Sequence, residues 1–103
     1  MVKELESVDD FKNAIASSKL TIVDFFATWC GPCKAIAPKL EDLAESNPNI
    51  QVVKVDVDKL EDLSQEQGIT AMPTFLFFKN GSKLDSIRGA NIDSIKALVE
   101  KLQ

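Results

Sequence analysis

The run Leu20 to Ala27, LTIVDFFA, constrains the fold more than any other stretch, being apolar except at Thr21 and Asp24 and rich in β-branched and aromatic side chains. A strand with one face in water alternates apolar with polar residues, whereas a run apolar on both faces reads as a strand covered from above and below. Such a strand belongs at the centre of a sheet, with helices on either side.

The flanking sequence supplies the other layers. Val2 to Leu5 reads as a short strand, and Ser7 followed by Asp10 resembles a capping box that starts a helix with Val8, Phe11 and Ile15 on one face. Ser17 and Ser18 close that helix. From Cys30 to about Ser46 the spacing of Ile36, Leu40, Leu43 and Ala44 is helical, with Pro38 inside predicting a kink and Asn47, Pro48 and Asn49 ending it. Ile50 to Val57 reads as a second inner strand, and Lys59 to Gln67 as a short helix carrying Leu60 and Leu63. Thr74 to Lys79 and Lys83 to Arg88 flank Asn80-Gly81, a hairpin signal because a type I′ turn needs positive φ at both central residues. Asn91 can cap a last helix whose apolar positions Ile92, Ile95, Leu98, Val99 and Leu102 recur every three or four residues. The expected class is therefore α/β, a mixed sheet of about five strands between layers of about four helices.

A length of 103 residues suits one domain, residues 1–103, and leaves no room for a separate cofactor domain. A net charge of −4 without a cluster of Lys or Arg argues against nucleic-acid and anionic-membrane partners. The longest apolar stretches, such as Phe75 to Phe78, fall far short of the roughly 20 residues that span a bilayer. Met1 to Glu6 lacks the features of a secretory signal or transit peptide, so the cytosol is the expected compartment.

Two cysteines and no histidine narrow the available chemistry. They lie in ATWCGPCK, Ala27 to Lys34, where a strand leaves the sheet and a helix begins. At i and i+3 on a helical turn two side chains share a face, so Cys30 and Cys33 can open and close a disulfide with little backbone movement. Cys30, at the helix start, lies near unpaired N–H groups and the positive end of the helix dipole, which favour a thiolate and make it the expected nucleophile. Cys33, one turn further in, is expected to be more shielded and to resolve the mixed disulfide. Pro32 suits the first turn, and Gly31 lets another chain approach closely. Two other readings stand beside this one, a static structural disulfide and half of a zinc site. The first closes too small a loop to restrain the unfolded chain much, and the second lacks two ligands.

Asp24 interrupts the apolar strand, where desolvation should raise its pKa and make it a proton carrier for Cys33. Lys54 interrupts the next strand and could sit beside it, so a merely structural Asp24–Lys54 ion pair is the alternative. Trp29, the only tryptophan, is either core filling or an exposed platform for substrate. Pro73, after Met72, could simply start a strand.

Taken together, VDFFATWCGPCK (Val23 to Lys34), Pro38, Asp56-Val57-Asp58, TAMPTFLFFKNG (Thr70 to Gly81) and Gly89-Ala90-Asn91 resemble the thioredoxins over essentially the whole chain, in particular their cytosolic eukaryotic members. The resemblance implies the thioredoxin fold, a redox disulfide between Cys30 (attacking) and Cys33 (resolving), Asp24 buried behind them and Lys54 nearby. It also implies a cis Pro73 that brings the Met72 backbone beside the cysteines to pair with an extended substrate segment. Trp29, Gly31, Pro32, Met72, Pro73, Gly89 and Ala90 would then form a flat docking surface. Phe26 stands where many relatives carry Trp or Tyr. The extra cysteines of some animal relatives are absent, which removes regulation by a second disulfide and cysteine-linked dimerisation and leaves a monomer as the expectation. No metal, no bound cofactor and no GxGxxG loop are expected, so electrons would come from NADPH through thioredoxin reductase. Peroxiredoxins, methionine sulfoxide reductases and ribonucleotide reductase would be acceptors. A disulfide isomerase or oxidase usually carries His between the cysteines. A non-catalytic scaffold or processivity subunit using the same surface is the alternative from another class.

Overall fold

The computed structural model describes residues 1–103. In chain order its elements are β1 (Lys3–Glu4), α1 (Val8–Ile15), β2 (Leu20–Phe26), α2 (Gly31–Ser46), β3 (Ile50–Asp56), α3 (Glu61–Glu66), β4 (Thr74–Lys79), β5 (Ser82–Arg88) and α4 (Ile92–Leu102). The sheet order is β1-β3-β2-β4-β5, so the twice-covered run is the central strand. It pairs parallel with β3 and antiparallel with β4.

Two cores account for the apolar character of both faces. Leu20 and Ile22 of β2, with Val52, Phe75 and Phe77, pack against Ile36, Leu40 and Leu43 of α2 and Ile95 and Val99 of α4. Val23 and Phe25, with Val53, Val55, Leu76 and Phe78, pack against Phe11 of α1 and Leu63 of α3. Because strand side chains alternate, Asp24 and Phe26 continue the face of Leu20 and Ile22. The parallel register sets Lys54 opposite Asp24. One charged pair of positions is thus carried under α2 by strand geometry alone.

The caps follow the sequence signals. Ser7 Oγ accepts from the Asp10 N–H at 3.0 Å and Asn91 Oδ1 from the Ser94 N–H at 3.1 Å. The reciprocal half of the box at α1 is displaced by one residue: Asp10 Oδ2 accepts from the Glu6 N–H at 3.1 Å, not from that of Ser7. Val8 departs from the expected apolar face and is 41% exposed, leaving Phe11 as the buried anchor of this short helix. The β4–β5 turn has φ of 53° at Asn80 and 82° at Gly81. Its N–H groups also dock the hairpin on the end of α1, Asn80 donating to the Ser17 carbonyl at 2.9 Å and Gly81 to that of Ile15 at 2.8 Å. α3 begins at Glu61, two residues later than the pattern suggests, because the Lys59 and Leu60 N–H groups turn back to the Asp56 carbonyl.

Ile95 is wholly buried between α4 and the sheet. Ile95→Ala should lower the unfolding free energy by about 2–5 kcal/mol in a denaturant titration. A loss under about 1 kcal/mol would contradict this packing.

Candidate active site

The chain leaves the sheet after Phe26, and Ala27 accepts the Cys30 N–H at 3.2 Å to close the turn into α2. Cys30 is the N-cap of α2, with extended backbone (φ −85°, ψ 111°), and Pro32 occupies the first turn. The Cys30 sulfur takes the part that an oxygen plays in an ordinary cap, accepting from the Cys33 N–H at 3.2 Å. That N–H and the helix dipole act on the same atom, and both favour negative charge on Cys30 once it is reduced.

Cys30 and Cys33 form a disulfide with their Cα atoms 5.3 Å apart, inside the range such a bond requires. The expected difference in shielding is not seen in overall burial, since Cys30 is 5% and Cys33 4% exposed. In the disulfide both cysteines belong to one small cluster with Ala27, against Phe26, Val57 and Met72. What distinguishes them is what each faces. The Cys30 Sγ lies 3.6 Å from the Met72 carbonyl oxygen. Cys33 lines a cavity of about 250 Å³ together with Asp24, Phe26 and Lys54 from the sheet and Lys34 and Ala37 from α2.

The Met72–Pro73 peptide is cis, and β4 begins at the next residue. Pro73 therefore stands at a strand start and also beside the disulfide, and the two readings of it coincide. Its carbonyl accepts from the Gly89 N–H at 2.9 Å, where Gly89 has φ +94°, which ties the end of β5 to the same corner. Trp29, Gly31, Pro32, Gly89 and Ala90 are exposed and Met72 is half-buried. Pro73 needs a correction as a surface residue, because its side chain is fully buried. Its backbone alone can face a partner.

Trp29 is 65% exposed, which removes core filling as its role. Its indole N–H donates to Asp58 Oδ2 at 2.9 Å, and Asp56 Oδ1 in turn accepts the Asp58 N–H at 2.9 Å. Sequence reasoning assigned no role to Asp58. The signal available was an Asx-type turn at a strand end, Asp56-Val57-Asp58, close to the level of the cysteines.

Asp24 is 4% exposed and its Oδ1 has no hydrogen-bond partner. Desolvation by burial raises its pKa from 3.8 to about 7, against an opposing pull from the Lys54 charge. The Asp24–Lys54 ion pair offered as an alternative is not closed, since the chain's one ion pair within 4.0 Å joins Lys59 and Glu4. The Lys54 ammonium instead lies 5.2 Å from the centroid of the Phe26 ring. No group of three or more His, Cys, Asp or Glu side chains is placed to hold a metal ion.

Residues 2–101 match the thioredoxin family model. The chain belongs to the thioredoxin family. It is 53% identical over 98 residues to thioredoxin-2 of Pyricularia oryzae, covering 95% of this chain but only 57% of that protein's length. Against thioredoxin-1 of Schizosaccharomyces pombe it is 46% identical over 100 residues, 97% of each chain. The solved thioredoxin of Plasmodium falciparum superposes with a TM-score of 0.93 at 44% identity, covering 99% of this chain and all of that one. With its Cys30–Cys33 disulfide, this member of the thioredoxin family is a dithiol–disulfide oxidoreductase that reduces protein disulfides, chemistry the family performs without a bound cofactor.

The raised Asp24 pKa has a consequence for stability. Between about pH 4 and pH 7 the folded chain holds a proton on Asp24 that the unfolded chain has released, so stability falls as pH rises through this window. A span of about three pH units is worth on the order of 4 kcal/mol when Asp24 is fully ionised. Asp24→Asn should therefore stabilise the oxidised protein more at pH 8 than at pH 5 in paired denaturant titrations. An equal effect at both pH values would contradict the assignment.

Proposed function

We propose that Cys30 is the nucleophile, Cys33 the resolving thiol and Asp24 the proton carrier of a cytosolic-type thioredoxin, in one domain over residues 1–103. The observation that carries this reading is the asymmetry of the disulfide. Cys30 sits on the N-terminus of α2 beside the Met72 carbonyl, and Cys33 opens on the cavity that holds Asp24.

In the reduced protein the Cys30 thiolate attacks one sulfur of a substrate disulfide, the substrate S–S bond breaks, and the departing substrate sulfur takes up a proton. The Cys33 thiol gives its proton to the Asp24 carboxylate, directly or through one water, and the resulting thiolate attacks the Cys30 sulfur. The intramolecular disulfide forms, the second substrate thiolate leaves, and two electrons have passed to the substrate. A pKa of about 7 suits a group that must accept and release this proton near neutrality. Lys54 contributes its positive charge beside the carboxylate.

Trp29, Gly31, Pro32, Met72, Gly89 and Ala90, with the backbone of Pro73, form the surface on which an extended segment of substrate docks. Gly31 is exposed at the start of α2 and adds no side chain between the disulfide and an approaching partner. NADPH, through thioredoxin reductase, returns the electrons, and peroxiredoxins, methionine sulfoxide reductases and ribonucleotide reductase are the acceptors. The resemblance to cytosolic eukaryotic members supports the cytoplasm as compartment and a monomer as the working form.

In an insulin-reduction assay with dithiothreitol, Cys30→Ser should abolish catalysis, whereas a scaffold role would leave binding of its client intact and show no rate to lose. Cys33→Ser should accumulate mixed disulfides with proteins of a reducing lysate, resolved on non-reducing gels. Asp24→Asn should slow turnover by about tenfold or more and remove an inflection near neutral pH. An unchanged pH profile would reject Asp24 as the proton carrier.

A further inference from the structure

Phe26 and Asp24 lie two residues apart on the same face of β2, and Lys54 is registered opposite Asp24 on β3. The three line one cavity with Cys33, Lys34 and Ala37. Asp24 is the only carboxylate among the lining residues, and its Oδ1 has no partner. A lysine ammonium neighbouring a lone buried carboxylate has every electrostatic reason to close on it. It does not, and its nearest defined partner is the face of the Phe26 ring, 5.2 Å from the centroid and within the range of a cation–π contact.

We propose that Phe26 is a positioning residue: its ring holds the Lys54 ammonium away from the Asp24 carboxylate and so keeps that carboxyl group free to exchange a proton with Cys33. The inference deepens the reading of Asp24 as the proton carrier and rests on it for its catalytic meaning. A closed ion pair would hold Asp24 ionised through the neutral range and so take it out of proton exchange near neutrality. From α2 the other titratable and charged groups on the cavity are Cys33 and Lys34. Lys34 is exposed, and water satisfies its ammonium more readily than the cavity does. Lys54 is half-buried and has no hydrogen-bonding partner for its ammonium, so the ring decides where that charge rests.

The test follows the Asp24 side-chain carboxyl carbon by NMR pH titration in the full oxidised chain. Phe26→Leu should lower the Asp24 midpoint by about one pH unit or more, a tenfold change in proton affinity. Phe26→Met, a second variant without a ring, should do the same if the Leu protein folds poorly. Phe26→Trp should keep the wild-type midpoint. In a Lys54→Met background, Phe26→Leu should leave the midpoint where Lys54→Met alone puts it. A midpoint unchanged or raised by Phe26→Leu and Phe26→Met would overturn the proposal. So would an equal fall with and without Lys54, which would mean that water entering the cavity, not the ammonium, moves it. The proton-carrier reading fails separately, through an Asp24→Asn protein with wild-type turnover and pH profile.

Discussion

Burial of β2 on both faces is the constraint from which the rest of this molecule descends. A central strand has no solvent side, so whatever side chain it carries at position 24 is desolvated by construction, and the carboxylate there loses the water that would keep its pKa low. The parallel register with β3 then places a lysine opposite it, where its charge moderates the effect, while the antiparallel neighbour on β4 is Phe75. Neither condition depends on a loop. Both are set by strand alternation and pairing, the least adjustable geometry in the fold.

A further condition comes from where that strand ends. A helix that starts directly after the sheet edge must satisfy its first N–H groups, and here a sulfur does part of that work, Cys30 Sγ accepting from Cys33. The same hydrogen bond that caps the helix therefore biases one cysteine of the pair toward the thiolate. Cys33, a turn later, is carried over Asp24 by the helix packing that buries Ile36 and Leu40 against β2. The two sulfurs differ in surroundings because one terminates the helix and the other belongs to its inner face, even though their overall exposure is nearly the same.

The periodic elements could be read from the chain because each rests on a local signal: alternation or its absence in strands, a cap in α1 and α4, Asn80-Gly81 in the hairpin. The cysteine pair, Asp24 and Lys54 were legible for the same reason, since each breaks or punctuates a pattern. What escaped depends on side chains from separate elements meeting. The bond from Trp29 to Asp58 joins the start of α2 to the turn after β3, and the ammonium of Lys54 over Phe26 joins two strands. Pro73 differs in the opposite sense: the resemblance placed it on the docking surface, whereas the turn into β4 buries its ring. Val8 misled because helical spacing gives the face of a residue but not how far along a short helix the packing reaches, and here it is Phe11 that is buried.

Magnitudes explain how a chain this short tolerates a buried carboxylate with no closed ion pair. Full ionisation of Asp24 in the folded state costs on the order of 4 kcal/mol, a large part of the roughly 5–15 kcal/mol that holds a domain folded. Closing the Lys54 ion pair would recover some of this, at the expense of fixing the charge. The alternative realised here leaves the group near its midpoint at neutral pH and lets the two cores carry the deficit. Phe25, Phe75 and Phe77 are fully buried, and each contributes about 1.5–3 kcal/mol relative to exposure. The apolar strand neighbours of Asp24 thus do two opposed things at once, raising the energy of its ionised form and supplying the stability that lets the fold survive it.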